Sequence, residues 1–217
     1  MADHDSRAGR RYTDGAILHF VDDVHAIEDG PLQAAFAAPD QEGMPAIQVS
    51  RSEARLIEWL MRFGQAKKVV EVGTLAGYSA LRIARALPAD GRLWTLENDP
   101  HHAAVARRNL AASPVGDRVQ VCLGDAIETL ADLAAEGPFD AIFIDADKGR
   151  YPQYARWALQ HLRPSGLLIA DNVYFFGRLL DSGEDAGAMR EFHHLVADHF
   201  DSACIPTPDG MLVACRR

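Results

Sequence analysis

The sequence predicts an α/β fold built on a doubly wound, mostly parallel sheet, and two observations carry that prediction. Short apolar or β-branched runs alternate with helical patterns from Lys68 to Asn172, with turns at Gly and Pro between them. The run FDAIFID is nearly continuously apolar, as a strand covered on both faces must be. A length of 217 residues suits one domain with a full core.

In chain order, the polar opening MADHDSRAGRRYTDG lacks the apolar stretch of a secretory signal, and residues 1 to 13 read as disordered. Helices are expected over Gly15–Glu28, Pro31–Ala38 and Ser52–Phe63. In the last, Leu56, Trp59, Leu60 and Phe63 recur at i, i+3, i+4 and i+7 and make one face apolar, and Gly64 ends the helix. KVVEVG, RLWTLE, RVQVCLG, FDAIFIDAD and GLLIADN read as five strands. Ser79–Leu87, His101–Ala112, Ala126–Ala135 and Tyr151–Leu162 read as the helices that cross between them. Pro88 with Gly91, Pro114 with Gly116, and Pro164 with Gly166 mark turns. A tail helix over Ala186–His199 leads to strands near Ser202–Pro206 and Met211–Cys215, and Asp209-Gly210 between them predicts an antiparallel hairpin at the sheet edge.

The totals exclude several classes. A net charge of −9 argues against a nucleic-acid partner gripped through phosphates. The apolar stretches fall far short of the roughly 20 residues that span a bilayer. Cys122, Cys204 and Cys215 show no metal-binding spacing and read as reduced thiols of a cytoplasmic protein. Only Lys67, Lys68 and Lys148 among the 22 basic residues are lysines, so each lysine invites a question.

In an open parallel sheet ligands bind beyond the carboxyl ends of the strands. After the first strand, Glu71 to Ser79 form a glycine-rich entry into a helix, with glycines at 73 and 77 rather than in the GxGxxG pattern of dinucleotide sites. This is either a tight turn or a cradle for a nucleotide-like ligand. Glu97, at the second strand's end, is placed to accept hydrogen bonds from a ribose, though a lone strand-end carboxylate is often only solvated. Gly124-Asp125-Ala126 offers a wall for an adenine ring. The fourth and fifth strands end in Asp145-Ala-Asp147-Lys148 and Asp171-Asn172. Crowded carboxylates need compensation, and the oxygen donors of Asp145, Asp171 and Asn172 suit Mg²⁺ or a similar hard cation. Helix capping is the competing explanation, most of all for Asp147. Lys148 beside this cluster reads either as a general base or as a surface lysine that offsets the acids. The histidine pairs at 101–102 and 193–194 show no ligand spacing and read as ordinary side chains.

EVGTLAGYSA, the acidic Glu97, GDA, FDAIFIDADKGRY and GLLIADNV stand in the order and spacing of the cation-dependent catechol and caffeoyl-CoA O-methyltransferases. Over residues 44 to 217 the chain resembles that family. The resemblance implies a class I methyltransferase, Rossmann-like sheet of seven strands with a reversed C-terminal hairpin strand and extra N-terminal helices. It divides the chain into a helical cap over 14–64 and a donor-binding, catalytic core over 65–217. It implies S-adenosylmethionine as donor and S-adenosylhomocysteine as product. Glu71, Gly73, Thr74 and Ser79, with backbone help from Val49, would surround the methionine part. Glu97 would take the ribose, Ala126 the adenine region, and Asp147 another donor contact. Asp145, Asp171 and Asn172 match the metal ligands, and Lys148 matches the base.

Some positions depart from the resemblance. Ile47 stands where many relatives carry a methionine, QVSRSEAR lacks the usual small residues, and Tyr174, Phe175 and Phe176 follow DNV as a bulky aromatic set. These residues are the expected wall or lid over the acceptor, which stays open among a small catechol, a caffeoyl thioester and a hydroxylated bacterial metabolite. The resemblance also implies a homodimer. Two other functions stand beside it: a non-catalytic module that binds S-adenosylmethionine, and an NAD-dependent oxidoreductase, which the missing third glycine disfavours.

Overall fold

The computed structural model describes residue 9 and residues 13–217; of the stretch expected to be disordered, residues 1–8 and 10–12 lie outside the described residues. Three helices lead: α1 (Gly15–His25), α2 (Gly30–Gln41) and α3 (Arg51–Phe63). Each begins where a short polar side chain takes up an orphan backbone N–H: Asp14, Asp29, and Ser50 with Glu53 in a reciprocal capping box. The alternating core follows as β1 (Lys68–Val72), α4 (Tyr78–Ala86), β2 (Arg92–Glu97), α5 (Pro100–Ala111), β3 (Val119–Leu123), α6 (Ala126–Leu133), β4 (Phe139–Ile144), α7 (Tyr151–His161) and β5 (Leu162–Ala170). It closes with α8 (Glu184–His199), β6 (Phe200–Ile205) and β7 (Met211–Arg216).

The seven strands lie in the order β3-β2-β1-β4-β5-β7-β6. β1 to β5 pair in parallel, while β7 runs antiparallel to both β5 and β6. The expected hairpin is therefore present, with β6 at the edge and β7 inside the sheet. Alternate residues of each central strand feed opposite layers. Val70, Val72, Ile142, Ile144, Leu168 and Ala170 pack with Tyr151, Tyr154, Phe192 and Val196 of α7 and α8. Val69, Ala141, Phe143 and Ile169 pack with Ile57, Met61, Leu81 and Ile83 of α3 and α4. That two-sided burial is what the unbroken apolar strands demanded.

Three sequence expectations change. The buried face of α3 is Ala54, Ile57, Glu58 and Met61, each two positions before a member of the expected stripe and so on nearly the opposite side of the helix. Leu56 and Leu60 pack only partly against the core, and Trp59 and Phe63 stack on each other at 5.2 Å in solvent. Ala54, Ile57 and Met61 make a second apolar stripe on that side, and Glu58 among them is buried with Arg55, Arg62 and Arg82 as partners. α2 runs on to Gln41 through Pro39, which removes one i→i−4 hydrogen bond without ending the helix. β5 starts at Leu162, and the expected turn at Pro164–Gly166 is an irregularity within it: Leu162 pairs with Phe139, then Leu167 with Ala141.

One ionic cluster fastens the N-terminal helices to the sheet layer. Arg82 on α4, 2% exposed, reaches Glu58 of α3 at 3.3 Å, and Glu28 and the Ala26 carbonyl of the α1–α2 loop at 3.2 and 3.3 Å. The Tyr78 hydroxyl also donates to Glu28, and Arg51 approaches the same carboxylate at 3.2 Å. Removing one member of a buried ion cluster strands the others without their counter-charge. Arg82→Ala is therefore expected to cost about 3 kcal/mol. In thermal denaturation that is a fall in Tm on the order of 10 °C; an unchanged Tm would show that the cluster does not anchor the cap.

Candidate active site

The strand order reverses between β1 and β4, and the crevice at their carboxyl ends opens into a cavity of about 600 Å³. Its floor is set by a close backbone approach. Gly73 has φ +100°, and a Cβ there would lie 2.0 Å from the Asp145 carbonyl oxygen, so only glycine fits. Val49, Gly73, Thr74, Ser79, Glu97, Ala126, Asp145, Asp147, Lys148 and Asn172 all line the cavity, so the strand-tip residues singled out from the sequence converge. Glu71 and Asp171 lie behind this wall, at 0% and 3% exposure.

Glu71 is held by a buried hydroxyl chain: Thr95 donates to its Oε2 at 2.6 Å and shares a 2.6 Å contact with Thr74. Its Oε1 has no hydrogen-bond partner. Burial pushes the Glu71 carboxyl up to about 7, against hydrogen bonds from Ser79 and Thr95 and with help from the charges of Asp145 and Glu97. A buried acceptor left open beside a glycine-lined cavity fits a cationic ligand group. Glu97 already accepts from the backbone N–H groups of Leu75, Asn98 and Asp99 at 2.8, 3.0 and 3.0 Å, which fixes its carboxylate at the cavity edge.

At the tips of β4 and β5 the Lys148 ammonium donates to Asp145 Oδ1 at 3.0 Å, Asn172 Oδ1 at 2.8 Å and the Tyr151 hydroxyl at 2.8 Å. Tyr151, fully buried, passes its own hydrogen to the Asp171 carbonyl at 2.9 Å. Burial pushes the Asp171 carboxyl up to about 7, with further repulsion from Asp145 and Glu53. Among the described residues no three His, Cys, Asp or Glu side chains converge on a point. Nζ sits between the oxygens of Asp145 and Asn172, while the Asp171 carboxylate lies behind them and its Oδ1 accepts from the Asn172 N–H at 2.8 Å, so two of the three expected oxygen donors meet at one point. Such a set fits a hard divalent cation that keeps open positions for other ligands.

Asp147 makes no capping bond to the helical turn it precedes. It accepts from the Tyr154 hydroxyl at 2.5 Å and meets Arg150 at 3.2 Å, while Arg150 also pairs with Asp125 at 2.5 Å. Ile47 and Phe176 line the cavity mouth, 70% and 61% exposed. Tyr174 and Phe175 do not line it. Phe175 packs into the core beneath, and Tyr174 lies over Gly210. The expected aromatic wall is thus reduced to Phe176. Asn172, Phe175 and Phe176 all have φ near +55°, a conformation that costs a bulky residue about 1–3 kcal/mol.

Sequence reasoning passed over His102, Arg150 and Tyr154, which also line the cavity. His102 sits in the first turn of α5, 3.8 Å from Glu97, and its place just beyond the second strand tip was the available signal.

The O-methyltransferase family model matches residues 30–217. The chain is 46% identical over 177 residues to a catechol O-methyltransferase of Niastella koreensis, which covers 81% of this chain and 80% of the relative. It is 40% identical over 192 residues to a catechol O-methyltransferase of Mycobacterium tuberculosis, with 87% of each chain covered. Its fold superposes on the crystal structure of an O-methyltransferase from Bacillus cereus in complex with SAH, with TM-score 0.89 and 33% identity over 93% of this chain and 97% of that one.

The raised Glu71 carboxyl has a consequence for stability. The fold favours its protonated form, so its contribution is fully present below about 4.5 and is lost as the pH rises through about 7. Across that window the wild type is expected to lose on the order of 3 kcal/mol relative to Glu71→Gln. Parallel curves of Tm against pH for the two proteins would contradict this.

Proposed function

The chain belongs to the O-methyltransferase family, and on that premise we propose that it moves the methyl group of S-adenosylmethionine to one hydroxyl of a catechol-type small molecule, with Mg²⁺ or a similar divalent cation as partner. The observation that carries this reading is the convergence of Asp145, Asn172 and Lys148 beside the Gly73 loop in one cavity. The two 40–46% relatives carry the catechol name, and the Bacillus cereus neighbour was solved with SAH. The same membership displaces the oxidoreductase alternative. The intact oxygen cluster weighs against a module that only binds the donor.

In this reading residues 14–64 form a helical cap over a core at 65–217. Glu71 Oε1, Gly73, Thr74 and Ser79 hold the methionine end of the donor with the Val49 backbone. Glu97 takes the ribose hydroxyls, and Ala126 and Asp147 border the adenine. The donor supplies a methyl group on a positively charged sulfur, so the C–S bond breaks as the C–O bond forms and the sulfur leaves as a neutral thioether. Asp145, Asp171 and Asn172 would hold the cation, which would supply Lewis-acid polarisation of an acceptor hydroxyl. A free phenol titrates near 10, so its proton must be removed for attack near neutrality. Lys148, fixed by the Tyr151 hydroxyl, accepts that proton at Nζ. Ile47 and Phe176 flank the acceptor and help to exclude water. No helix among the described residues is long and apolar enough to cross a membrane, which agrees with a cytoplasmic enzyme for small molecules.

The reading extends to a homodimer. Ile17, Phe20, Val21 and Val24 stand at i, i+3, i+4 and i+7 on α1, and every one is exposed. The other side of α1 meets α3 through Asp22 with Ser52 and Asp23 with Arg51. An apolar stripe of this length on a helix with its polar side already engaged suits burial against a second copy.

Two experiments test the reading. A panel of catechols incubated with S-adenosylmethionine and Mg²⁺ is expected to yield products heavier by one methyl group. EDTA should abolish turnover without changing Tm, and Lys148→Arg should lower kcat at least about 100-fold. Full activity in EDTA removes the cation from the mechanism, and a wild-type rate in Lys148→Arg removes the base. Light scattering should find a dimer that Phe20→Glu with Val24→Glu turns into a folded monomer; a wild-type monomer overturns the assembly.

A further inference from the structure

We propose that Thr95, buried on β2 behind the cavity wall, is a positioning residue that fits Glu71 to read the ammonium group of the donor. The inference rests on the reading of S-adenosylmethionine as donor given above. Glu71 and Thr95 are register partners in the parallel pair of β1 and β2, so their side chains leave the same face of the sheet side by side. Thr95 donates to Glu71 Oε2 at 2.6 Å, and its oxygen stands 2.6 Å from the Thr74 hydroxyl. All three side chains are buried. Each hydroxyl has one hydrogen to give. Positive charge in the cavity favours the ionised form of Glu71, and a carboxylate only accepts. The Thr95 hydrogen is then committed to Glu71, so Thr95 accepts in its second contact and Thr74 donates. The chain of hydroxyls runs one way, from Thr74 through Thr95 to Glu71.

That direction decides what the methionine end of a ligand meets. Both hydroxyl hydrogens are used inside the chain, so neither is left to donate to a carboxylate. Glu71 Oε2 is pinned by Thr95, and Oε1 is buried with no hydrogen-bond partner. Gly73 and Thr74, which follow Glu71 past the end of β1, line the cavity. An ammonium group only donates, and it finds an open acceptor here. A carboxylate only accepts, and it finds no hydroxyl hydrogen to bind. Thr95 acts through Glu71: a hydrogen bond to the charged form of an acid favours that form, whereas burial alone favours the neutral one.

The test is calorimetric binding of two thioethers to the full chain: S-adenosylhomocysteine, and its analogue with hydrogen in place of the α-amino group. Thr95→Val keeps the shape and removes the hydroxyl. It is expected to weaken S-adenosylhomocysteine binding about ten- to hundredfold, as loss of a hydrogen bond to a charged group does, while the analogue stays within about twofold of wild type. Thr95→Ser restores the hydroxyl and should bind both as the wild type does. In a Glu71→Gln background Thr95→Val should cost little more, because the group it positions no longer carries charge. Should Thr95→Val not fold, Thr95→Cys, whose thiol donates only weakly, carries the same comparison. Wild-type affinity of Thr95→Val for S-adenosylhomocysteine overturns the inference. So does an equal loss for both thioethers, which marks a general packing role. Two outcomes reach the parent reading. A wild type that binds the two thioethers alike takes the ammonium away from Glu71, and the inference with it; a wild type that binds neither removes the donor. If the wild type prefers S-adenosylhomocysteine and Thr95→Val keeps that preference in full, only the role of Thr95 falls.

Discussion

The tips of β1 and β4 meet so closely that the Gly73 backbone leaves no room for a side chain against Asp145, and this contact places the two halves of the site side by side. Backbone hydrogen bonds continue past the strand ends and hold it there: Gly73 to Leu96 at 3.0 Å, Asp145 to Val72 at 2.9 Å and Asp171 to Ile144 at 3.0 Å. The glycine loop and the oxygen cluster are therefore parts of one ladder, and their separation is fixed by strand spacing rather than by flexible loops. Methyl transfer between two bound molecules depends on alignment, and a rigid sheet edge is a sound place to set it.

The chain buries charge in two different ways, and the difference separates support from chemistry. Arg82, Glu58 and Glu28 are withdrawn from water but face opposite charges at 3.2–3.3 Å, so each is compensated. Glu71 and Asp171 are equally withdrawn, yet each is surrounded by further acids and is pushed up to about 7. A fold selected for stability alone would have no reason to leave Oε1 of Glu71 without a partner. Glu71 and Asp171 both sit at strand tips just behind the cavity wall, and perturbed acids so placed are the usual mark of a site awaiting positive charge. Here the donor's charged end and a divalent cation would supply it.

The core and the strand-tip chemistry were legible because both are local patterns. FDAIFID announces a strand covered on both faces, and the residues after it lie at the carboxyl end whatever the helices do. What escaped the sequence depends on contacts between distant segments. Glu58 looks like a surface residue of α3, yet it is buried beside Ala54, Ile57 and Met61 because Arg82, 24 positions on, meets it together with Arg55 and Arg62. Phe175 looks like a lid residue, but its left-handed backbone sends the ring into the core and leaves Phe176 at the mouth. Asp209 reads only as half of a turn signal, because its partners at 174 and 176 are brought to it by the pairing of β5 with β7.

This division bears on which hydroxyl the enzyme would select. Of the residues proposed to hold donor and cation, Glu71 and Glu97 lie on strands and Gly73, Asp145, Asp171 and Asn172 directly beyond strand ends, so a change in these disturbs backbone shared with the core. The expected acceptor contacts, Ile47 and Phe176, lie on connecting segments with most of their surface in solvent. Substitutions at such positions cost little stability and change the shape of the mouth directly. Acceptor preference can therefore drift while the chemistry beneath it stays constant. Ile47 lies at such a position. Phe176 differs in one respect: its N–H is tied to Asp209 Oδ1 at 2.8 Å. The β6–β7 turn therefore holds the Phe176 backbone, and of the two mouth residues Ile47 is the one without a tie to that turn.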